Sequence, residues 1–259
     1  MKYFRLSIFL LTVTLVSFSL IDHKPVLYII GDSTVKNGDG SGRNGQCGWG
    51  TVIDTYFDTT KISVQNHAIG GRSSRTFITE GRWDKIVTTL KKGDYVIMQF
   101  GHNDGGALDD TARARGTIKG IGEDSLEIYN PIRKQKEMVH TYGWYMRKYV
   151  NEARTKGAVA VICSPIPRND WKNGKLVRAN ETYTKWAKET AGQTNAYFID
   201  LHNMICDKYE KMDTVKVNSF FPADHTHTNR EGAILNAKLV VTGIQQLRSC
   251  DLKKYLSGQ

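Results

Sequence analysis

Four short runs carry residue types able to perform acyl transfer. They are Gly31-Asp32-Ser33-Thr34, Gly70-Gly71-Arg72-Ser73, Gly101-His102-Asn103-Asp104 and Asp224-His225-Thr226-His227. Ser33 supplies a hydroxyl nucleophile, which is weak until a base takes its proton. His227 can be that base, and Asp224 can hold its tautomer and stabilise the imidazolium. Spacing selects His227 over His225, because residues three apart in a helical turn share a side while neighbours point apart. The developing oxyanion needs preorganised donors, and the Ser33 amide, the Gly71 amide and the Asn103 side chain can provide them. Glycine suits that place because its backbone approaches a substrate without a Cβ in the way. Taken singly, each run reads equally well as a turn or cap. Together they supply every part of the reaction.

The elements that must position these residues are legible as apolar runs. Val26–Ile30, Ile62–Val64, Tyr95–Phe100, Ala158–Cys163 and Ala196–Asp200 read as strands, several of them continuously apolar, as buried parallel strands are. Helical patterns lie between them at about Gly50–Asp58, Trp83–Lys91, Val139–Lys156, Ala179–Ala191 and Arg230–Leu247. Strands alternating with helices imply right-handed crossovers and a parallel sheet covered on both faces. Ligands on such sheets bind beyond the carboxyl ends of the strands, where the first three runs fall. A stretch of mixed charge and several glycines, 105–137, has no clear pattern and reads as an insertion on the substrate side, with surface elaboration as the alternative.

The N-terminus reads as an address. Lys2 and Arg5 precede a mostly apolar run from Leu6 to Leu20, and Ser17 and Ser19 have the spacing of a signal-peptidase site. Residues 1–19 are therefore expected to be a cleaved signal peptide and 20–259 a single catalytic domain, exported to the periplasm or outside the cell. The apolar run is too short and too hydroxyl-rich for a stable membrane anchor. Among 259 residues the net charge is +10, which loss of Lys2 and Arg5 lowers to +8. The basic side chains are scattered, without the long aromatic-interleaved run of a nucleic-acid groove, which leaves a solvated basic surface or, more sharply, attraction to an anionic substrate outside the cytoplasm.

The four runs, in this order, resemble the blocks of the SGNH (GDSL-type) hydrolase superfamily over nearly the whole chain after the leader. The resemblance is nearest to the rhamnogalacturonan acetylesterases. The runs Ala68–Phe77, Phe100–Gly106 and Asn218–Thr228 carry it, with Asn103-Asp104-Gly105-Gly106 and Asp224–Thr228 characteristic of that branch. It implies a three-layer α/β/α fold of flavodoxin-like type with a five-stranded parallel sheet. It also implies Ser33 as nucleophile, His227 as base, Asp224 as acid, and Ser33, Gly71 and Asn103 as oxyanion hole. Neither metal nor organic cofactor is implied. The expected partner is an acetylated acidic polysaccharide, and the expected oligomeric state a monomer. Deacetylation of another glycan, such as xylan, or of a small acyl ester is the alternative within enzymes; a non-catalytic glycan-binding module is the alternative outside them.

Several other features have ordinary readings. Gly40-Ser41-Gly42-Arg43-Asn44-Gly45 has dinucleotide-site glycine spacing but does not directly join a strand to a helix. Asp224, His225 and His227 resemble zinc ligands in type, but that reading leaves Ser33 and Asn103 without a role. Arg72 and Arg75 are candidates to meet a uronate carboxylate, against surface ion pairing. Trp49 reads as core, and His67 and His102 as structural. Cys47, Cys163, Cys206 and Cys250 show no Cys-x-x-Cys spacing, and their pairing does not follow from sequence.

Overall fold

The computed structural model describes residues 23–258, so the expected signal peptide at 1–19 lies outside the described residues. Nine strands run in chain order: β1 (Val26–Gly31), β2 (Ser63–Asn66), β3 (Tyr95–Gln99), β4 (Ser125–Asn130), β5 (Gln135–His140), β6 (Val159–Cys163), β7 (Trp171–Lys172), β8 (Lys175–Leu176) and β9 (Tyr197–Ile199). Seven α-helices accompany them: α1 (Ser74–Thr79), α2 (Arg82–Val87), α3 (Tyr142–Thr155), α4 (Tyr183–Thr194), α5 (Leu201–Tyr209), α6 (Thr214–Asn218) and α7 (Arg230–Gln246).

Five strands form the central sheet in the order β2-β1-β3-β6-β9, all parallel, as the sequence leads one to expect. The order is that of flavodoxin-like sheets, which reverse direction of growth beside the first strand. Side chains alternate across the pleat, so each buried strand feeds two cores. Leu27 and Ile29 of β1, Ile97 of β3 and Val161 of β6 face α5, α7 and two 3-10 turns at Trp49–Thr51 and Ile53–Tyr56. Tyr28 and Ile30, Val96 and Met98, and Ala160 and Ile162 face α1 to α4. The result is three layers, helix, sheet and helix.

The structure departs from the sequence reading in particular places. The expected helix over Gly50–Asp58 is instead the two 3-10 turns. The pattern from Val139 begins inside β5, where Val139 is an inward-facing strand residue; α3 starts only after Thr141 accepts a hydrogen bond from the Trp144 amide. The 105–137 stretch contains an antiparallel hairpin, β4 paired with β5. Helices α1, α5 and α6 are not among the expected patterns, and the pattern at Trp83–Lys91 is the shorter α2. All four cysteines are buried free thiols. No helix among the described residues is long and apolar enough to cross a membrane.

Candidate active site

Ser33 sits in the turn leaving β1. Gly31 ends that strand in close contact with its neighbour: a Cβ there would stand 2.6 Å from both the Gln99 carbonyl oxygen and Val35 Cγ2. The turn is braced by a buried relay. Asp32 Oδ1 accepts from the Thr34 amide and hydroxyl, Gln99 donates to Thr34 Oγ1 at 2.6 Å, and the Trp49 indole donates to Gln99 Oε1 at 2.8 Å. Trp49 is thus core, as read from sequence, and at the same time supports the Ser33 turn.

The turn before α7 brings His227 to Ser33. His227 Nε2 lies 2.7 Å from Ser33 Oγ, and His227 Nδ1 lies 2.7 Å from Asp224 Oδ2. The Asp224–His227 adjacency comes from an Asx-type turn rather than a helix: Asp224 Oδ1 accepts from the amides of Thr226 (2.7 Å) and His227 (2.8 Å). Burial by itself would raise the Asp224 pKa, but these bonds and that of the His227 ring outweigh it and hold the carboxyl at about 2. Gln46 donates to Asp224 Oδ2, and Thr228 Oγ1 to the Cys47 carbonyl, tying this turn to the loop after Ser33. His225 turns away, with Nδ1 against Asp170 and Nε2 against Arg168. The two histidines therefore engage different carboxylates.

Gly71 has φ of +79°, a left-handed conformation that disfavours any side chain. Its amide and that of Ser33 donate to no group among the described residues. Asn103 is 7% exposed, and its amide donates one bond to the Arg72 carbonyl, leaving a second N–H to offer. Asp104 anchors this loop by accepting from the Ser74 amide and hydroxyl. Its burial, with Asp32 nearby, raises its pKa to about 7 against the pull of those bonds.

Ser33, Gly71, Asn103 and His227 line one cleft of about 670 Å³, within the range of small-ligand sites. Its walls differ from expectation at the arginines. Arg75 is 0% exposed and lies outside the cleft. Its Nε bonds Glu137 at 2.7 Å and its Nη1 donates to the Leu108 and Gly116 carbonyls. A guanidinium held in that way cannot meet a polymer, so Arg75 is a structural clamp on the 105–137 insertion. Arg72 does line the cleft but pairs with Glu80, which it shares with Arg82. Arg113, Arg115 and Arg168 line it too and were not singled out from sequence; isolated arginines in loops carry no periodic or motif signal. His102 is half-buried in the cleft wall, and the desolvation there keeps its imidazole pKa below the usual value. His67 stacks on Tyr28 away from the cleft.

Fold and site together define a class: a three-layer α/β/α protein with a serine–histidine–aspartate constellation at the carboxyl edge of its parallel sheet. The GDSL-like lipase/acylhydrolase family matches residues 29–233, which span every one of these residues. The chain belongs to that family, whose members are carboxylic ester hydrolases. It is 34% identical over 208 residues to a rhamnogalacturonan acetylesterase of Emericella nidulans, across 80% of this chain and 79% of that protein. It is 31% identical over 226 residues to a probable rhamnogalacturonan acetylesterase, YesY, of Bacillus subtilis, across 85% and 93%. Among solved structures, YxiM of Bacillus subtilis superposes with a TM-score of 0.69 at 24% identity over 86% of this chain. This chain spans 57% of that larger protein. The acetylxylan esterase Axe2 of Geobacillus stearothermophilus gives 0.58 at 18% identity, over 87% of this chain and 97% of that one. At those identities the two structures establish the fold alone.

Proposed function

We propose that this protein is a carbohydrate acetylesterase that removes acetyl groups from an acidic, pectin-type polysaccharide outside the cytoplasm. The observation that carries the chemistry is the unbroken relay from Ser33 Oγ to His227 Nε2 and from His227 Nδ1 to Asp224. The names of the relatives support the substrate class, and the arginine-lined cleft suits a polyanion. Export rests on the leader-like residues 1–19, and residues 20–259 are taken to act as one domain and as a monomer. The mechanism proposed needs no metal or organic cofactor.

The proposed steps use this geometry. Ser33 Oγ attacks the acetyl carbonyl carbon while its proton passes to His227 Nε2. Asp224 stabilises the imidazolium and holds the ring in place. The tetrahedral oxyanion accepts hydrogen bonds from the Ser33 and Gly71 amides and the Asn103 side chain. The bond from carbon to the sugar oxygen breaks, and His227 returns the proton to that oxygen. Water then attacks the acetyl-enzyme by the same relay in reverse, releasing acetate and free Ser33. Fluorophosphonate labelling tests the nucleophile: mass spectrometry should place the adduct on Ser33, with none on Ser33→Ala. Acetate release from acetylated rhamnogalacturonan, set against acetylated xylan, tests the substrate. Absence of the adduct on native protein refutes the acyl-enzyme mechanism, and preference for xylan refutes the pectin assignment.

A further inference from the structure

The arginines at the cleft divide by whether a carboxylate already holds them. Arg72 shares Glu80 with Arg82. Arg113 and Arg115 have no acidic side chain within 4.0 Å of their charged nitrogens among the described residues. Both lie beside the oxyanion loop: a Cβ on Gly71 would stand 3.7 Å from Arg115 Nη1 and 4.0 Å from Arg113 Nη1. Arg115 Nη1 also donates to the Gly71 carbonyl at 3.2 Å. Burial, followed by the like charge of Arg113, depresses the Arg115 pKa, the sign of two cations held together without enough negative charge between them.

The segment presenting them is built rather than loose. Asp110 accepts from the amides of Ala112 and Arg113 with Oδ1, and from that of Ala114 with Oδ2. The buried Arg75 clamps the carbonyls at Leu108 and Gly116 on either side. Between the two arginines, Ala114 is 1% exposed and has φ of +41°, a conformation costly for a side chain and tolerated only where surroundings enforce it. With Ala114 turned into the protein, its two neighbours remain at the cleft.

We propose that Arg113 and Arg115 form a carboxylate subsite beside the oxyanion hole, binding the carboxylate of a uronate residue in the glycan and setting preference for acidic over neutral chains. This deepens the acetylesterase reading and rests on the cleft being the glycan site. Two guanidiniums present N–H forks matched to a carboxylate, and charge-assisted bonds of this kind are about twice as strong as neutral ones. Loss of one such bond corresponds to a drop of about 10- to 100-fold in affinity.

The test is inhibition of p-nitrophenyl acetate hydrolysis by unacetylated trigalacturonate and by its fully methyl-esterified, neutral counterpart. Each enzyme is scored by the ratio of the two inhibition constants, which cancels any change in turnover. Native protein should bind the acid at least tenfold more tightly than the ester. Arg113→Gln should reduce that ratio, and Arg113→Gln with Arg115→Gln should bring it close to one. Arg115→Lys, which keeps the charge but not the fork, should fall between. Equal inhibition by acid and ester in native protein overturns the subsite, as does no inhibition by either, or a preference that survives the double substitution. Acetate release from acetylated polymer is read separately. A charge preference without acetate release leaves the subsite standing and refutes the acetylesterase reading.

Discussion

Replacing Arg75 by methionine should be among the most damaging single substitutions outside the proposed catalytic residues. Arg75 is fully buried, and so, nearly, is Glu137, its partner at 2.7 Å. Methionine keeps much of the volume but leaves Glu137 with only Asn130 at 2.6 Å and the more distant Arg133 at 3.6 Å. Breaking a buried pair from one side costs about 3–5 kcal/mol, because one charge remains uncompensated. The Leu108 and Gly116 carbonyls also lose their donor, so we expect about 4 kcal/mol. For a chain of this size that corresponds to a fall in Tm of roughly 8–16 °C. The pH dependence follows from Glu137. Burial raises its pKa, but the bonds from Arg75 and Asn130 prevail and set it below the ordinary value of 4.5. The pair's stabilisation is therefore present above about pH 4.5 and lost as pH falls through the lowered pKa. The gap between native protein and Arg75→Met should narrow in acid. Urea unfolding across pH provides the assay, with Arg75→Met/Glu137→Leu closing a double-mutant cycle. The double variant should be more stable than Arg75→Met alone, with coupling of about 1 kcal/mol or more. A single-variant loss under about 1 kcal/mol, strict additivity, or a gap that does not change with pH refutes the clamp.

Asn103→Ala should lower kcat by about 100- to 1000-fold with the fold retained, since it removes one proposed oxyanion donor; steady-state kinetics with a circular dichroism control reads this, and unchanged turnover removes Asn103 from the mechanism. Asp104 gives a stability signature of opposite sign to Glu137. Its folded pKa of about 7 lies above the ordinary 3.8, so its contribution is fully present below about pH 4 and lost as pH rises through 7. Asp104→Asn keeps the acceptor for Ser74 without that proton linkage. Its stability relative to native protein should therefore rise between pH 4 and 7 in urea melts, and a constant difference contradicts the assignment.

The parts of the site legible from sequence share a physical property. Ser33 and Asn103 stand just past apolar strands, Gly71 lies in a Gly-Gly run a few residues after the more polar β2, and Asp224 and His227 are locked to one another within four residues, so local pattern suffices to find them. What escaped depends on longer-range closure. The β4–β5 hairpin alternates, but Tyr129 and Met138 stand exposed among charges on its outward face and Leu126 is exposed on the opposite face, so no clean polar face marks it. Helix α1 has a local signal in its Ser73–Thr76 capping box, yet its six residues are too few for periodicity. Arg75 looked like an exposed ligand-binding residue because charge normally means surface; only Glu137, 62 positions away, makes its burial possible.

By itself, then, the sequence determined the layered α/β architecture and the family, and pointed to the five residues proposed for acyl transfer. Those follow from apolar periodicity and from chemistry confined to short runs. Tertiary structure alone decided which arginines meet the cleft. The charges of Arg72, Arg75, Arg113 and Arg115 are equivalent in sequence, and what separates them is which carboxylates the fold brings within reach: Glu80 for the first, Glu137 for the second, and no acidic side chain among the described residues for the last two.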